Sequence, residues 1–295
     1  MPGAGCGMRA SLLLAAGMAS VSPAAAKDDP RTVPISDTED AGLDSQSVGA
    51  GRLHPVLGLD VRNGDFVRGT YDDDGAGLDR VPVHVQLGLV YELVRDGDTA
   101  NTWLEVRSSN GFHAPGADET ASPRALYESN NLVGIATRLA PGLTGAITYA
   151  IKTSPNGVSD TNHELSGALA LEGKSGFAAL NPGFAATWRP KGGGGLYTQA
   201  TIEPGIDLGR ADRLSAPAAF GVGWGGFYES GSGTRVFGRV GLAYKHPFRI
   251  GDAHLAVRAE ASALFRDDRL RRLDAPMASP HTIRPFGTIA VSYAY

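Results

Sequence analysis

Seven histidines, His54, His84, His113, His163, His246, His254 and His281, are the residues whose chemistry would be most diagnostic, and they are dispersed. None sits in the H-E-x-x-H spacing that sets two imidazoles and a base on one helix face, so the pattern offers zinc no seat. Ser166 follows His163, and Ser262 follows His254, closely enough to imagine a nucleophile with its base. Such a pair also needs a third group to orient the imidazole, and no motif supplies one. Both serines therefore read as ordinary polar positions, and no enzymatic activity is expected. The run Asp72, Asp73 and Asp74, with Asp79 nearby, is rich in oxygen. It lacks the distal bidentate glutamate that closes a calcium loop, so it reads as a solvated loop. The one cysteine, Cys6, leaves the rest of the chain without disulfide or thiolate chemistry. No metal and no cofactor are expected.

The remaining charges are more informative, because many alternate with apolar residues. In "HLAVRAEASALF", Leu255, Val257, Ala259, Ala261, Ala263 and Phe265 oppose His254, Arg258, Glu260 and Ser262. In "RVFGRVGLAYK", Val240, Leu242 and Tyr244 oppose Arg239 and Lys245, with Arg235 at the start. "VPVHVQLGLVYEL" places six aliphatic residues and Tyr91 on one face and His84, Gln86 and Glu92 on the other. The chain closes on "TIAVSYAY", where Ile289, Val291, Tyr293 and Tyr295 share a face. This period of two is the pattern of a strand with lipid on one side and a polar interior on the other.

About twelve such segments follow one another, beginning near Val56, Val81, Asn101, Leu126, Leu143, Glu164, Pro182, Gly195, Phe220, Arg235, His254 and Ile283. Each is close to the ~9–11 residues that cross a bilayer when tilted. The connections alternate roughly between long and short, as in a membrane barrel with outer loops and periplasmic turns. The sequence thus predicts an all-β, transmembrane, antiparallel up-and-down β-barrel of about 12 strands over 54–295, with ten or fourteen as alternatives. A soluble sandwich would expose more Lys, Glu and Thr than these Gly, Ala and Arg faces. Tyr91, Trp103, Tyr127, Tyr149, Trp188, Tyr197, Tyr228, Tyr244, Tyr293 and Tyr295 fall towards strand ends, where interfacial girdles belong. Ahead of the barrel, Arg9, the apolar stretch "ASLLLAAGMASV" and "SPAAA" form an export signal over 1–26, cleaved near Ala26. Residues 27–53 are polar and without period, and read as a flexible tail. Localisation in the outer membrane of a Gram-negative bacterium follows, since lipid tolerates no open sheet edge.

The 295 residues carry a net charge of −4 with scattered basic residues, which excludes nucleic acid as a partner class. The expected partners are outer-membrane lipids, the outer-membrane assembly machinery and small solutes or ions. The predicted lumen-lining charges are Glu105, Arg107, Glu203, Arg235, Arg239, Arg258 and Glu260. A lumen of that kind fits a narrow, passive, porin-like channel; a non-conducting structural or surface-binding barrel and a barrel-embedded hydrolase are the alternatives. The three arginines of the tenth and eleventh strands face one glutamate there, which favours anions locally. The solute, gating, oligomeric state and loop ligands are left open.

Two resemblances add to this reading. The terminal Ile289, Val291, Tyr293 and Tyr295 resemble the C-terminal signal read by the assembly machinery of Gram-negative outer-membrane β-barrel proteins. Three stretches, "DFVRG" (65–69), "HELSGALAL" (163–171) and "LNPGF" (180–184) with "GLYTQATIEPGIDL" (195–208), resemble the TorF-type porin group. That resemblance spans about residues 54–209 and implies a small outer-membrane channel.

Overall fold

The computed structural model describes residues 31–71, 80–96, 99–117, 119–191, 194–209, 211–228, 233–273 and 283–295. The export segment 1–26 and the acidic run 72–74 with Asp79 lie outside them. A hairpin of β1 (Arg31–Ser36) and β2 (Leu43–Val48) comes first. The wall opens with β3 (Leu53–Arg62), followed by a short ribbon of β4 (Phe66–Val67) and β5 (Thr70–Tyr71) in the first long loop. It continues through β6 (Val83–Asp96), β7 (Thr99–Phe112), β8 (Leu126–Ala140), β9 (Leu143–Thr153), β10 (Asn162–Leu171) and β11 (Gly183–Lys191). Next come β12 (Leu196–Ile202), β13 (Gly205–Gly209), β14 (Asp212–Ser215) and β15 (Ala218–Trp224). The wall ends with β16 (Arg235–Ile250), β17 (Ala253–Arg266), the helix α1 (Asp268–Leu273) and β18 (Ile283–Ala294).

Twelve strands, β3, β6 to β12 and β15 to β18, pair antiparallel in sequence order. The last returns to the first, with Ile289 opposite Val61 and Ala294 opposite Val56, so the sheet closes. The expected all-β antiparallel barrel of twelve strands is what the chain forms. With an even number, both ends of the wall lie at one rim, called here the terminal rim; the other is the loop rim. β13 and β14 continue the pairing of β12 and β15 towards the terminal rim: Ile202 faces Ala218, Gly205 faces Ser215, and Ser215 faces Ala243 of β16. Pro204 and Pro217 fall at the two breaks, where each ring removes a ladder N–H. At the tight turn between β8 and β9, Gly142 adopts φ of 75° and a Cβ there would lie 2.4 Å from the Glu172 carbonyl. Only glycine fits both conditions.

Alternation decides which side of the wall each residue meets. Leu57, Leu89, Ile135, Ile147, Leu242 and Ile289 are exposed on the outside, and Ile147 is 67% accessible. His84, Glu92, Glu105 and Glu164 are buried inside. A continuous apolar exterior over a charged interior is the reverse of a water-soluble protein and matches a lipid-facing belt. Tyr91, Tyr149, Trp188, Tyr244 and Tyr295 stay on the outer surface as expected. Trp103, Tyr127 and Tyr197 do not: they are 1%, 2% and 0% exposed, inside the barrel. Trp103 shares parity with Glu105 and Arg107 on β7, and Tyr197 shares it with Gln199 on β12, so the pleat carries both rings inward.

The larger correction concerns the tail. Residues 31–48 are not a flexible segment but a hairpin seated in the lumen, with Arg31 opposite Val48 and Ser36 opposite Leu43. Asp37 Oδ1 accepts hydrogen bonds from the backbone N–H of Glu39 (2.7 Å) and Asp40 (3.3 Å), which shapes the turn. Val33, Ile35 and Val48 pack with Val56, Val90, Trp103, Ala136 and Ala146 of the wall. Eighteen residues with only a few apolar side chains hold an ordered shape because the wall supplies the other half of their core.

Candidate functional site

The hairpin turn is held mainly by charge. Glu105 on β7 accepts the Ser36 backbone N–H with both carboxylate oxygens at 3.1 Å. Arg107, two residues on and on the same face, donates to the Ser36 carbonyl. Arg62, at the end of β3, forks onto Glu39 through Nη1 (2.6 Å) and Nη2 (2.9 Å), and its Nε donates to Asp60 at 2.6 Å. Lys152 on β9 donates to the Glu39 carbonyl at 2.9 Å. Burial raises the Glu39 carboxyl, but the Arg62 guanidinium and His84 outweigh it and hold the group below its ordinary value. Asp40 goes the other way, pushed up by burial and by Asp37.

Around the turn lies a hydrogen-bonded chain. Asp60 holds His84 Nδ1 at 3.1 Å, and His84 Nε2 meets the Tyr127 hydroxyl at 2.8 Å. The His113 ring stacks on Tyr127 with centroids 4.4 Å apart. One ligand atom each from Glu39, His84 and Glu128 falls within a 4.8 Å group. Both His84 nitrogens are already engaged, so the geometry makes a fixed strut between β3, β6 and β8 and leaves the imidazole little to offer a metal.

A second charged centre lies towards the loop rim. The ribbon β4–β5 turns the first long loop inward and buries Arg68, whose Nη1 and Nη2 grip Glu164 of β10 at 2.7 and 2.9 Å. Arg189 of β11 adds its Nε at 3.0 Å and Lys152 its Nζ at 3.4 Å. One carboxylate thus serves three cations. Arg189 also lies over the Phe227 ring at 4.1 Å, and the Tyr228 hydroxyl donates to the Arg68 carbonyl at 2.5 Å. Above this floor is a cavity of about 340 Å³, walled by Arg68, Lys152, Arg189, Phe227, Tyr228 and Val158 among others.

The expected lumen residues divide into groups. Glu105 and Arg107 are inside and bind the hairpin. Arg258 donates to Glu203 at 2.7 Å and Glu260 at 2.9 Å, and Arg239 approaches Glu260 at 3.9 Å. These four form one group beside the middle of β17, in which two arginines meet two glutamates. Arg235 begins β16 opposite Gly223, well away from that group. The expected local excess of arginine is therefore absent, because Glu203 reaches Arg258 across the sheet. Ile289 and Val291 face outward, Tyr293 is half-buried, and Tyr295 is 44% exposed, its carbonyl accepting from His54 Nδ1 at 2.9 Å. Ser166 bonds Thr187 at 2.9 Å, and Ser262 donates to Glu260 at 2.6 Å. His163 instead contacts the Tyr149 hydroxyl, and His254 contacts Arg249 at 2.9 Å. Neither imagined Ser–His pair is assembled.

Arg68, Tyr127, Lys152 and the hairpin are the site residues that sequence reasoning missed or left without a role. The only local signal was Asp37 ahead of "TEDAG", which favours a turn between two short runs.

No protein-family model and no curated protein matches the chain. The TorF-type resemblance thus rests on its sequence motifs alone. Among solved structures the chain is similar to a bacterial polysaccharide outer membrane secretin, with TM-score 0.44 and 10% identity over 83% of this chain and 98% of that one. It is also similar to LpxR from Salmonella typhimurium, with TM-score 0.43 and 10% identity over 81% and 99%. BamA from Haemophilus ducreyi gives TM-score 0.36 and 9% identity over 91% and 75%. These are bacterial outer-membrane β-barrels, and at this level the likeness is one of fold.

Proposed function

We propose that the chain is a narrow, porin-like channel of a bacterial outer membrane, held shut by its own N-terminal hairpin. The apolar exterior and closed wall support the membrane, and the export signal supports the outer one, with the terminal rim towards the periplasm. The observation that carries the channel reading is how the lumen is filled. The turn of the hairpin is fixed by Glu105, Arg107, Arg62 and Lys152, and its strands add an apolar patch of Val33, Ile35 and Val48 on the wall. Water can replace the charged contacts when the hairpin withdraws, and the apolar patch sets the cost of that withdrawal. A barrel of twelve strands is wider than one its own wall side chains can fill, so removal of the hairpin leaves a narrow aqueous path. A hydrolase built on Ser166 or Ser262 is disfavoured in this reading, because their hydroxyls bond Thr187 and Glu260 rather than a histidine.

Conductance in planar bilayers tests this reading. The full chain is expected to give rare, small steps, and a chain lacking residues 31–48 long-lived, larger ones. The milder Glu39→Gln, Glu105→Gln double variant should fall between them. If the deleted and double variants are folded barrels and neither conducts, the channel reading fails and a non-conducting surface barrel replaces it.

A further inference from the structure

We infer that the cavity at the loop rim is a binding site for a small organic carboxylate, with the anionic head on Arg189 and Lys152 and the apolar body against Phe227, Tyr228 and Val158. Three observations converge. First, charge at the cavity floor is unbalanced: Arg68, Arg189 and Lys152 share the single carboxylate of Glu164. Glu128, which also lines the cavity, has a carboxylate oxygen grouped with His84 and Glu39, on the side of Arg62. Asp160 stands exposed in the loop between β9 and β10. Asp160 also lines the cavity at its exposed edge and Asp40 acts on Arg68, so one positive charge of the three on the floor is left without a buried counter-ion, and an anion arriving from solvent supplies one.

Second, the floor is built. Arg68 is 3% exposed, and its Nε is buried without a hydrogen-bond partner among the described residues. The Arg189 guanidinium is held by Glu164, by the Phe227 carbonyl at 2.9 Å and by the Phe227 ring. Such fixed planar donors match a carboxylate better than a mobile lysine at the surface does. Third, the walls are mixed. Phe227, Tyr228, Val67, Val158 and Leu273 give an apolar side to a cavity of about 340 Å³, small among ligand sites. Leu273 also borders a neighbouring cavity lined by Arg235, Arg269 and Arg272. The approach to the site thus carries positive charge, which draws anions towards it.

This inference deepens the channel reading, for it takes the bound anion to be a solute on its way inward. Benzoate is the probe, its uncharged isostere benzamide the comparison, and calorimetric titration of the full chain in detergent the assay. Benzoate is expected to bind saturably and benzamide not. Arg189→Gln and Lys152→Gln should each weaken benzoate roughly 10- to 100-fold, the effect of removing one charge-assisted hydrogen bond. Arg249→Gln, at the far rim, should change nothing. Equal binding of benzamide, no binding of benzoate, or indifference to both substitutions in folded protein overturns the inference. Benzoate binding in a protein whose hairpin deletion does not conduct would keep the site and remove the channel. Conductance without benzoate binding would do the reverse.

Discussion

Replacing Glu164 by Gln removes one charge at nearly constant volume from the place where the barrel interior depends on it most. The carboxylate is 1% exposed and lies 2.7 Å from Arg68, 3.0 Å from Arg189 and 3.4 Å from Lys152. Those cations are themselves 2%, 17% and 13% exposed, so water can screen them only in part. Taking one partner from a buried pair costs about 3–5 kcal/mol, because the other charge stays desolvated. Here three charges of one sign would remain together, so the upper end of that range is expected. Glu203→Gln is the matched control: it also contacts an arginine at 2.7 Å, but the two side chains are 35% and 30% exposed. An exposed pair of that kind contributes about 1 kcal/mol or less. Urea unfolding in detergent, followed by tryptophan fluorescence, measures both. Equal losses, or a loss at Glu164 no larger than that of an exposed pair, would refute the argument that Glu164 is the keystone of the loop-rim floor.

Other outcomes follow from the same contacts. Ile289→Asp puts a charge on the lipid face and should cost about 2–4 kcal/mol and block assembly, while Ala290→Asp, facing the lumen, should be milder; outer-membrane yield compares them. Acidification should loosen the hairpin: Glu39 titrates below its ordinary value, so its contribution is present above the ordinary carboxylate range and lost as pH falls through the lowered one. Asp40 is shifted upwards, and its protonation at higher pH has the opposite sign, so Glu39→Gln separates the two. Protease sensitivity of residues 31–48 against pH, in both chains, is the readout. Replacing Arg239 and Arg258 with Glu should move the reversal potential of a hairpin-deleted channel towards cations, and the shift should shrink in high salt as screening shortens.

The wall was legible in the sequence because lipid acts on each strand separately. Every lipid-facing residue meets the same solvent, so Leu87, Leu89 and Tyr91, or Val240, Leu242 and Tyr244, announce their side by period alone. Twelve such stretches, one after another, then fix an up-and-down order, and lipid forbids leaving the edges open. The interior has no comparable rule. A polar residue that faces water, a polar residue that faces the hairpin and a polar residue in a tail look alike along the chain. "TVPISDTEDAGLDSQSV" therefore read as tail, although its Val33 and Ile35 complete a core with Trp103 and Val90 from strands far along the chain. Arg68 belonged by sequence to an outer loop, yet it crosses 96 positions to meet Glu164. Glu203 stood outside the arginine group until the pairing of β12, β15, β16 and β17 set it beside Arg258. Which charges share the lumen depends on closure, register and an inward-folded loop acting together, and a buried charge takes whichever partner that geometry delivers.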